Sequence, residues 1–188
     1  MHPIISKAHS QPSKLGVQLL AVGIASGLPT RSSCCQSATV ATDSVRYWRR
    51  LLDAEKCRVR AVDAAHRPCT VTWWWDAKTD TAIIESASVV GMAMLQPNKF
   101  HPGDLDTFGL GNVVLAASRH GARRIIIGLG GSATNDAGFG FARAVGWQSQ
   151  DARGNQILRW TELTRLARIV GVDSVTHVGL AKFTRWIR

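Results

Sequence analysis

Residues 123–144, RRIIIGLGGSATNDAGFGFARA, pass from a β-branched run through a glycine-rich turn into a helix-like stretch. Ile125, Ile126 and Ile127 suit a strand buried on both faces, because branched side chains favour the pleat and a helix-covered parallel sheet needs no polar alternation. Gly128, Gly130 and Gly131 open backbone angles closed to other residues and put no side chain between main-chain N–H groups and a ligand. A helix opening at such a turn presents unpaired donors and roughly half a positive charge. This layout predicts a phosphate-handling turn in which Asp136, a carboxylate beside an anion site, binds metal or moves a proton.

The segments upstream of the turn complete a layered pattern. Residues 57–65 and 70–76 alternate as strands do, with His66-Arg67-Pro68 as the turn between them, which predicts a hairpin. Trp73 to Trp75 then place indoles on both faces of the second strand, one face packing on a helix. Residues 81–85, TAIIE, read as a short buried strand with Glu85 at its end, where ligands gather in open α/β sheets. A helix of small and apolar residues is expected over 86–96, stopped by Pro97. Another is expected over 110–120, with Val113, Val114 and Ala117 at core spacing and Gly121 as a left-handed C-cap. Further helices are expected over 139–145, 160–169 and, briefly, 47–52. Strand, helix, helix, strand, helix predicts an α/β fold, a layered sheet with flanking helices.

A chain of 188 residues with 45% hydrophobic content suffices for one core. Its net charge of +10 is uneven: residues 1–56 carry seven Lys or Arg against three acids, residues 57–150 nine against seven, and residues 151–188 seven against three. No basic cluster interleaves with aromatics as a single-strand groove requires. The charge therefore argues for basic flanks rather than for a nucleic-acid partner. The four cysteines include no Cys-x-x-Cys pair, so neither a disulfide scaffold nor a zinc site is expected. Cys57 and Cys69 are expected to be two small apolar residues, although facing positions across the hairpin are open to them. The apolar stretch 15–28 is shorter than the roughly 18 to 20 residues that span a bilayer. Ala25-Ser26-Gly27 matches a signal cleavage site only loosely. A buried helix or an arbitrary apolar stretch is expected there, with no membrane role, and the polar run 29–43 reads as a linker.

Gly130-Gly131-Ser132-Ala133-Thr134-Asn135-Asp136-Ala137-Gly138 resembles the central signature of the type 1 glycerate kinases, GGSATND followed by Gly or Ala and a further Gly. TAIIESASVVGMAML at 81–95 and TFGLGNVVLAASRHGARRIIIG at 107–128 resemble that family's Ile-Glu-x-Ala and Thr-Tyr/Phe-Gly-x-Gly segments, in order and spacing. The resemblance runs from about 57 to 171. It divides the chain into an unassigned segment 1–56, a glycerate-kinase-like α/β domain 57–171 and an unassigned basic tail 172–188. The family's Pro-Asp-Ser-Phe-Lys-Gly turn and Ala-Asp-Gly-Gly-Glu-Gly loop are not found in 1–56, nor its late Thr-Gly-Glu-Gly region after the middle, so the fold is expected to be incomplete relative to the two-domain family fold.

The resemblance implies phosphoryl transfer from ATP, with Mg²⁺, to a hydroxyl of glycerate in the cytoplasm, weak or absent in this chain. On that reading Asp136 takes the hydroxyl proton or binds the Mg²⁺ that accompanies ATP, and Asn135 orients substrate oxygens. Gly130, Gly131, Ser132 and Thr134 hold phosphate, and Thr107, Gly109, Gly111 and Glu85 bind substrate or phosphate. A blander reading stands beside it: Ser132, Thr134 and Asp136 cap the helix, each cap contributing about 0.5–2 kcal/mol. Asn112 and Leu110 depart from the family's usual Glu or Gln and Thr. Two alternatives remain. One is a non-catalytic kinase remnant. The other is a nicotinamide-dinucleotide-binding oxidoreductase, since 128–133 satisfies the loose Gly-x-Gly-x-x-Gly/Ala fingerprint and Asp151 lies near the distance of a ribose-binding acid.

Overall fold

The computed structural model describes residues 18–23, 53–171 and 177–179, the first and last of these as backbone strands. In chain order the strands are β1 (Gln18–Gly23), β2 (Glu55–Val62), β3 (Pro68–Asp76), β4 (Thr81–Glu85), β5 (Arg124–Leu129), β6 (Gln148–Gln150), β7 (Gln156–Ile157), β8 (Arg168–Val170) and β9 (His177–Gly179). The helices are α1 (Ala87–Val90), α2 (Phe108–His120) and α3 (Phe139–Ala144). Six strands form one sheet in the order β2-β3-β4-β5-β1-β9, and three form a small sheet in the order β7-β6-β8. This is a mixed α/β fold, as the sequence pattern predicts.

β5 lies between β4 and β1, parallel to both. That position explains its unbroken isoleucine run: a strand with neighbours on both sides and layers on both faces has no side left for polar residues. Ile125, Ile126 and Ile127 are buried accordingly, as are Ala82, Ile83 and Ile84 of β4. The hairpin β2–β3 adds to β4 antiparallel. On its inner face Trp73 and Trp75 are buried, and both indoles meet the His120 ring edge-on at 5.3 and 5.2 Å. α2 covers that face and buries Val113, Val114 and Ala117. Gly121 ends it in the left-handed conformation at φ 115°, as expected.

Three expectations change and one open pairing is closed. Residues 18–23, inside the apolar stretch 15–28, form a strand and not a helix, because Leu19 to Ala21 pair in register with the isoleucines of β5. The helix expected over 86–96 is one turn, α1, followed by a 3₁₀ turn at Met92–Met94. Gly91 breaks it by turning extended to pair with Ser132, and a Cβ there would sit 2.1 Å from the Ala87 carbonyl oxygen. Over 160–169 the chain makes a 3₁₀ helix, Trp160–Arg165, and then β8. Cys57 pairs with Trp73 and Cys69 with Ala61, four positions apart along the ladder, so the two thiols do not face one another. Burial, helped by Glu55 at Cys57 and by Asp63 at Cys69, pushes both thiols up. The helix expected at 47–52 and the linker at 29–43 lie outside the described residues. Within the spans 1–56 and 172–188, β1 and β9 add strands to the main sheet.

Candidate active site

The carboxyl ends of β4 and β5 lie side by side, with Glu85 in register with Gly128. Ser86 N–H donates to the Gly128 carbonyl at 3.0 Å, which locks the two strand ends together. The glycine-rich turn leaves from this edge, the place where open α/β sheets bind ligands. Its first half is strapped from below: Met92 N–H donates to Gly131 O and Ala133 N–H to Val90 O, both at 2.8 Å. Gly131 supplies the left-handed bend at φ 62° that this pairing needs. Ser132 Oγ and Thr134 Oγ1 share a hydrogen bond of 2.8 Å, and Thr134 N–H donates to Ser132 Oγ. Ser132 and Asn135 are exposed. Among the described residues, neither Gly130 nor Asn135 makes a hydrogen bond within the protein.

The second half of the turn is closed by the protein itself. Asp136 is only 2% exposed. Its Oδ2 accepts from Thr107 N–H at 3.0 Å, Thr107 Oγ1 at 2.8 Å and Gly140 N–H at 2.8 Å, and its Oδ1 accepts from Gly138 N–H at 3.4 Å. Phe139 N–H donates to the Asp136 carbonyl and Phe141 N–H to Thr107 Oγ1. The opening amides of α3, which a helix normally leaves unpaired, are thus all taken. The expectation of an anion seated on that helix end meets donors already engaged. The expectation that Asp136 moves a proton or takes a metal meets a buried carboxylate joined to two helix starts. Of the two readings weighed for this residue, capping is the one its contacts describe.

Thr107 is therefore the counterpart of Asp136 in this tie. Gly109 and Gly111 are buried for close packing: a Cβ on Gly109 would lie 1.8 Å from Val62 O, and one on Gly111 2.5 Å from Ala144 Cβ. They let α2 press on β2 and α3. Glu85 is half-buried at the strand edge, where Ser88 Oγ donates to its carbonyl at 2.7 Å. The structure thus brings Glu85, Gly130, Gly131, Ser132, Thr134 and Asn135 to one edge and places Asp136, Thr107, Gly109 and Gly111 behind it.

Asp106 was not singled out by sequence reasoning. It is buried, accepts from Phe108 N–H at 2.9 Å, and meets His66 Nε2 at 3.0 Å and Arg143 at 3.4 Å. Arg143 lies in turn over the Phe108 and Phe139 rings, at 4.8 and 5.8 Å. The signal was present: Asp followed by Thr just ahead of a helix is a cap pattern.

Among the described residues no group of three or more His, Cys, Asp or Glu side chains is placed to hold a metal ion. Asp136 does not fit Mg²⁺, which takes exposed carboxylate oxygens together with water and phosphate, because its Oδ2 already holds three protein donors. The dinucleotide alternative fails on topology. Asp151 sits in the β6–β7 turn of the small sheet, where its carboxylate accepts from the Asn155 side chain and from the Asn155 and Arg153 amides and pairs with Arg165. Those hydrogen bonds, the Asn155 side chain's first, outweigh desolvation and hold it down at about 2. Its oxygens are turn ligands.

Fold and site together define an α/β protein with a glycine-rich loop at the carboxyl edge of parallel strands. The model of the glycerate kinase family matches residues 44–183, a span wider at both ends than the motifs alone mark out. The chain is 41% identical over 86 residues to glycerate 2-kinase of Escherichia coli (strain K12), which is 46% of this chain and 23% of that protein. It is 43% identical over 77 residues to glycerate kinase of Bacillus subtilis (strain 168), 41% of this chain and 20% of that one. A crystal structure described as glycerate kinase 2 from Salmonella typhimurium LT2 shares the fold with a TM-score of 0.63 at 23% identity, over 88% of this chain and 51% of its own. This chain belongs to the glycerate kinase family. It spans about half of the Salmonella structure, and the matched stretches cover less than a quarter of each curated relative.

Proposed function

We propose that this chain carries the phosphate-handling edge of an ATP-dependent kinase that phosphorylates a hydroxyl of glycerate. The observation that carries the reading is the division of labour within one turn: Asp136 and Thr107 hold it from behind, while at the strand edge Gly130 and Asn135 make no hydrogen bond among the described residues. Backbone N–H groups of Gly130 and Gly131 then face the nucleotide's phosphate oxygens with no side chain in the way. The Ser132 and Thr134 hydroxyls donate beside them, and the Asn135 amide orients substrate oxygens. Glu85 stands across the strand edge as the candidate acceptor for the hydroxyl proton. Asp136 is a positioning residue in this scheme. The names of the relatives supply the substrate, and the family supplies ATP. No step is assigned to Mg²⁺.

A coupled assay of glycerate-dependent ADP formation tests the proposal. Slow turnover is expected from the purified chain, lost in Ser132→Ala and Asn135→Ala variants that keep the wild-type circular dichroism. ADP formation that ignores glycerate, or that survives both substitutions, would contradict it. NAD binding in place of ATP binding would favour the oxidoreductase reading.

A further inference from the structure

The β2–β3 turn stands on the same edge of the sheet as the glycine-rich turn. β3 runs antiparallel to both β2 and β4, so β2 points the same way as β4 and β5, and the residues after its carboxyl end emerge on the site's side. Those residues, 63–67, fold around one buried carboxylate. Asp63 Oδ1 accepts from the Ala65 and Arg67 amides at 2.9 and 3.0 Å, and Oδ2 accepts from Arg67 Nε at 2.8 Å. A two-residue loop would reverse the chain without such fastening. This longer turn sends out two side chains, and each reaches a support of the glycine-rich turn.

His66 reaches the support of its second half. Nε2 lies 3.0 Å from Asp106 Oδ1, and Asp106 N–H donates to Ala64 O at 3.1 Å. Asp106 also accepts from Phe108 N–H, so it fixes the start of α2 on both sides of Thr107, whose N–H and hydroxyl donate to Asp136. Arg67 reaches the support of the first half. Its Nη2 donates to Met94 O at 3.1 Å, and the guanidinium lies 4.9 Å from the centre of the Phe100 ring. Met94 ends the 3₁₀ turn that begins at Met92, and Met92 N–H is the strap on Gly131 O. The backbone at His66 is left-handed, φ 59°, which a Cβ strains. A position that glycine would fill with less strain carries the side chain that meets Asp106.

We propose that His66 and Arg67 are positioning residues for the phosphate-handling edge: His66 sets the start of α2 and with it the Thr107–Asp136 tie, and Arg67 sets the 3₁₀ turn that straps Gly131. The inference rests on the proposed role of that edge in holding ATP.

Amide hydrogen exchange, with an ATP titration followed at the Gly130 and Gly131 amides, tests it in the full chain. His66→Gly relieves the left-handed backbone as it cuts the link to Asp106, so its melting temperature should fall by no more than about 4 °C. Exchange at Thr107 and Gly140, the amides that donate to Asp136 Oδ2, should nevertheless rise about three- to tenfold, and ATP should bind about three- to tenfold more weakly. His66→Gln, whose side-chain amide reaches the same oxygen, should restore both. Arg67→Gln should instead speed exchange at Met92 and Ala133, the two amides that strap the first half. Unchanged exchange at either pair, ATP affinity that stays constant while exchange rises, or losses that His66→Gln does not restore would each overturn the proposal. If the unaltered chain shows no ATP shifts, the proposed function fails, and the exchange rates alone decide the positioning.

Discussion

Asp136 and Asn135 are neighbours with opposite duties. The Asp136 carboxylate accepts three bonds at Oδ2 inside the protein, whereas Asn135 is exposed and makes none among the described residues. Asp136→Ala removes the shared acceptor and strands the Thr107 and Gly140 N–H groups, for a loss of about 2–4 kcal/mol. Asn135→Ala should change stability by less than about 0.5 kcal/mol, as exposed substitutions do. Urea denaturation of the two variants separates the roles, and equal losses would contradict the division drawn between them. Ala137 adds a residue-scale strain. It holds φ 51° in the left-handed region, where the Cβ crowds the following carbonyl. Ala137→Gly should therefore stabilise the chain by about 0.5–1 kcal/mol in the same titration, after the larger backbone entropy of glycine is discounted.

At the scale of elements, α2 is held where it is by glycines and caps rather than by length. Gly109→Ala would drive a methyl into the Val62 carbonyl, 1.8 Å away, so α2 must shift off β2. A loss of about 1–3 kcal/mol is expected, as for other overpacked contacts. Gly138→Ala meets nothing within 4 Å and pays only for its φ of 78°, so it should cost about 1 kcal/mol. A thermal melt that ranks these two the other way would contradict this account of the packing. Long periodic elements were legible in the sequence: the hairpin, α2 with its C-cap and the isoleucine strand all follow from spacing and turn residues. Short elements were not. α1, the 3₁₀ helix at Trp160–Arg165 and β1 depend on contacts with Ser132, Leu105 and β5 that no local pattern encodes. The same reason hid the contacts of Asp136. Its residue type and its neighbours read as chemistry, and its bonds to Thr107, 29 residues away, have no local signal.

For the whole molecule, acid should be the sensitive axis. In the β2–β3 turn, burial tends to raise the Asp63 carboxyl, but the Arg67 side chain at 2.8 Å and the Arg67 and Ala65 amides outweigh it and hold the group below the usual range. Asp151 is held at about 2. Groups depressed in the folded state contribute stability above their unfolded range, near about 4, and lose it as pH falls through the folded values. The unfolding free energy should therefore drop between about pH 4 and pH 2, and the double variant Asp63→Asn, Asp151→Asn should show a shallower slope there. An unchanged slope in the double variant would remove these two turns as the acid-sensitive points. The family was readable from residues 81–95 and 107–138 together, and the strand edge from residues 123–144. The exposure of β8 was not, because a short strand's surroundings leave no mark on its own residues.

The central claim, that the turn after β5 presents its first half to anionic oxygens while Asp136 fastens its second half, is tested most directly by amide nuclear magnetic resonance during titration with ATP. The account predicts saturable shifts at the Gly130, Gly131, Ser132 and Asn135 amides, with Gly140 and Phe141 nearly still. Shifts concentrated at Gly140 and Phe141, or none anywhere in residues 128–136, would contradict it.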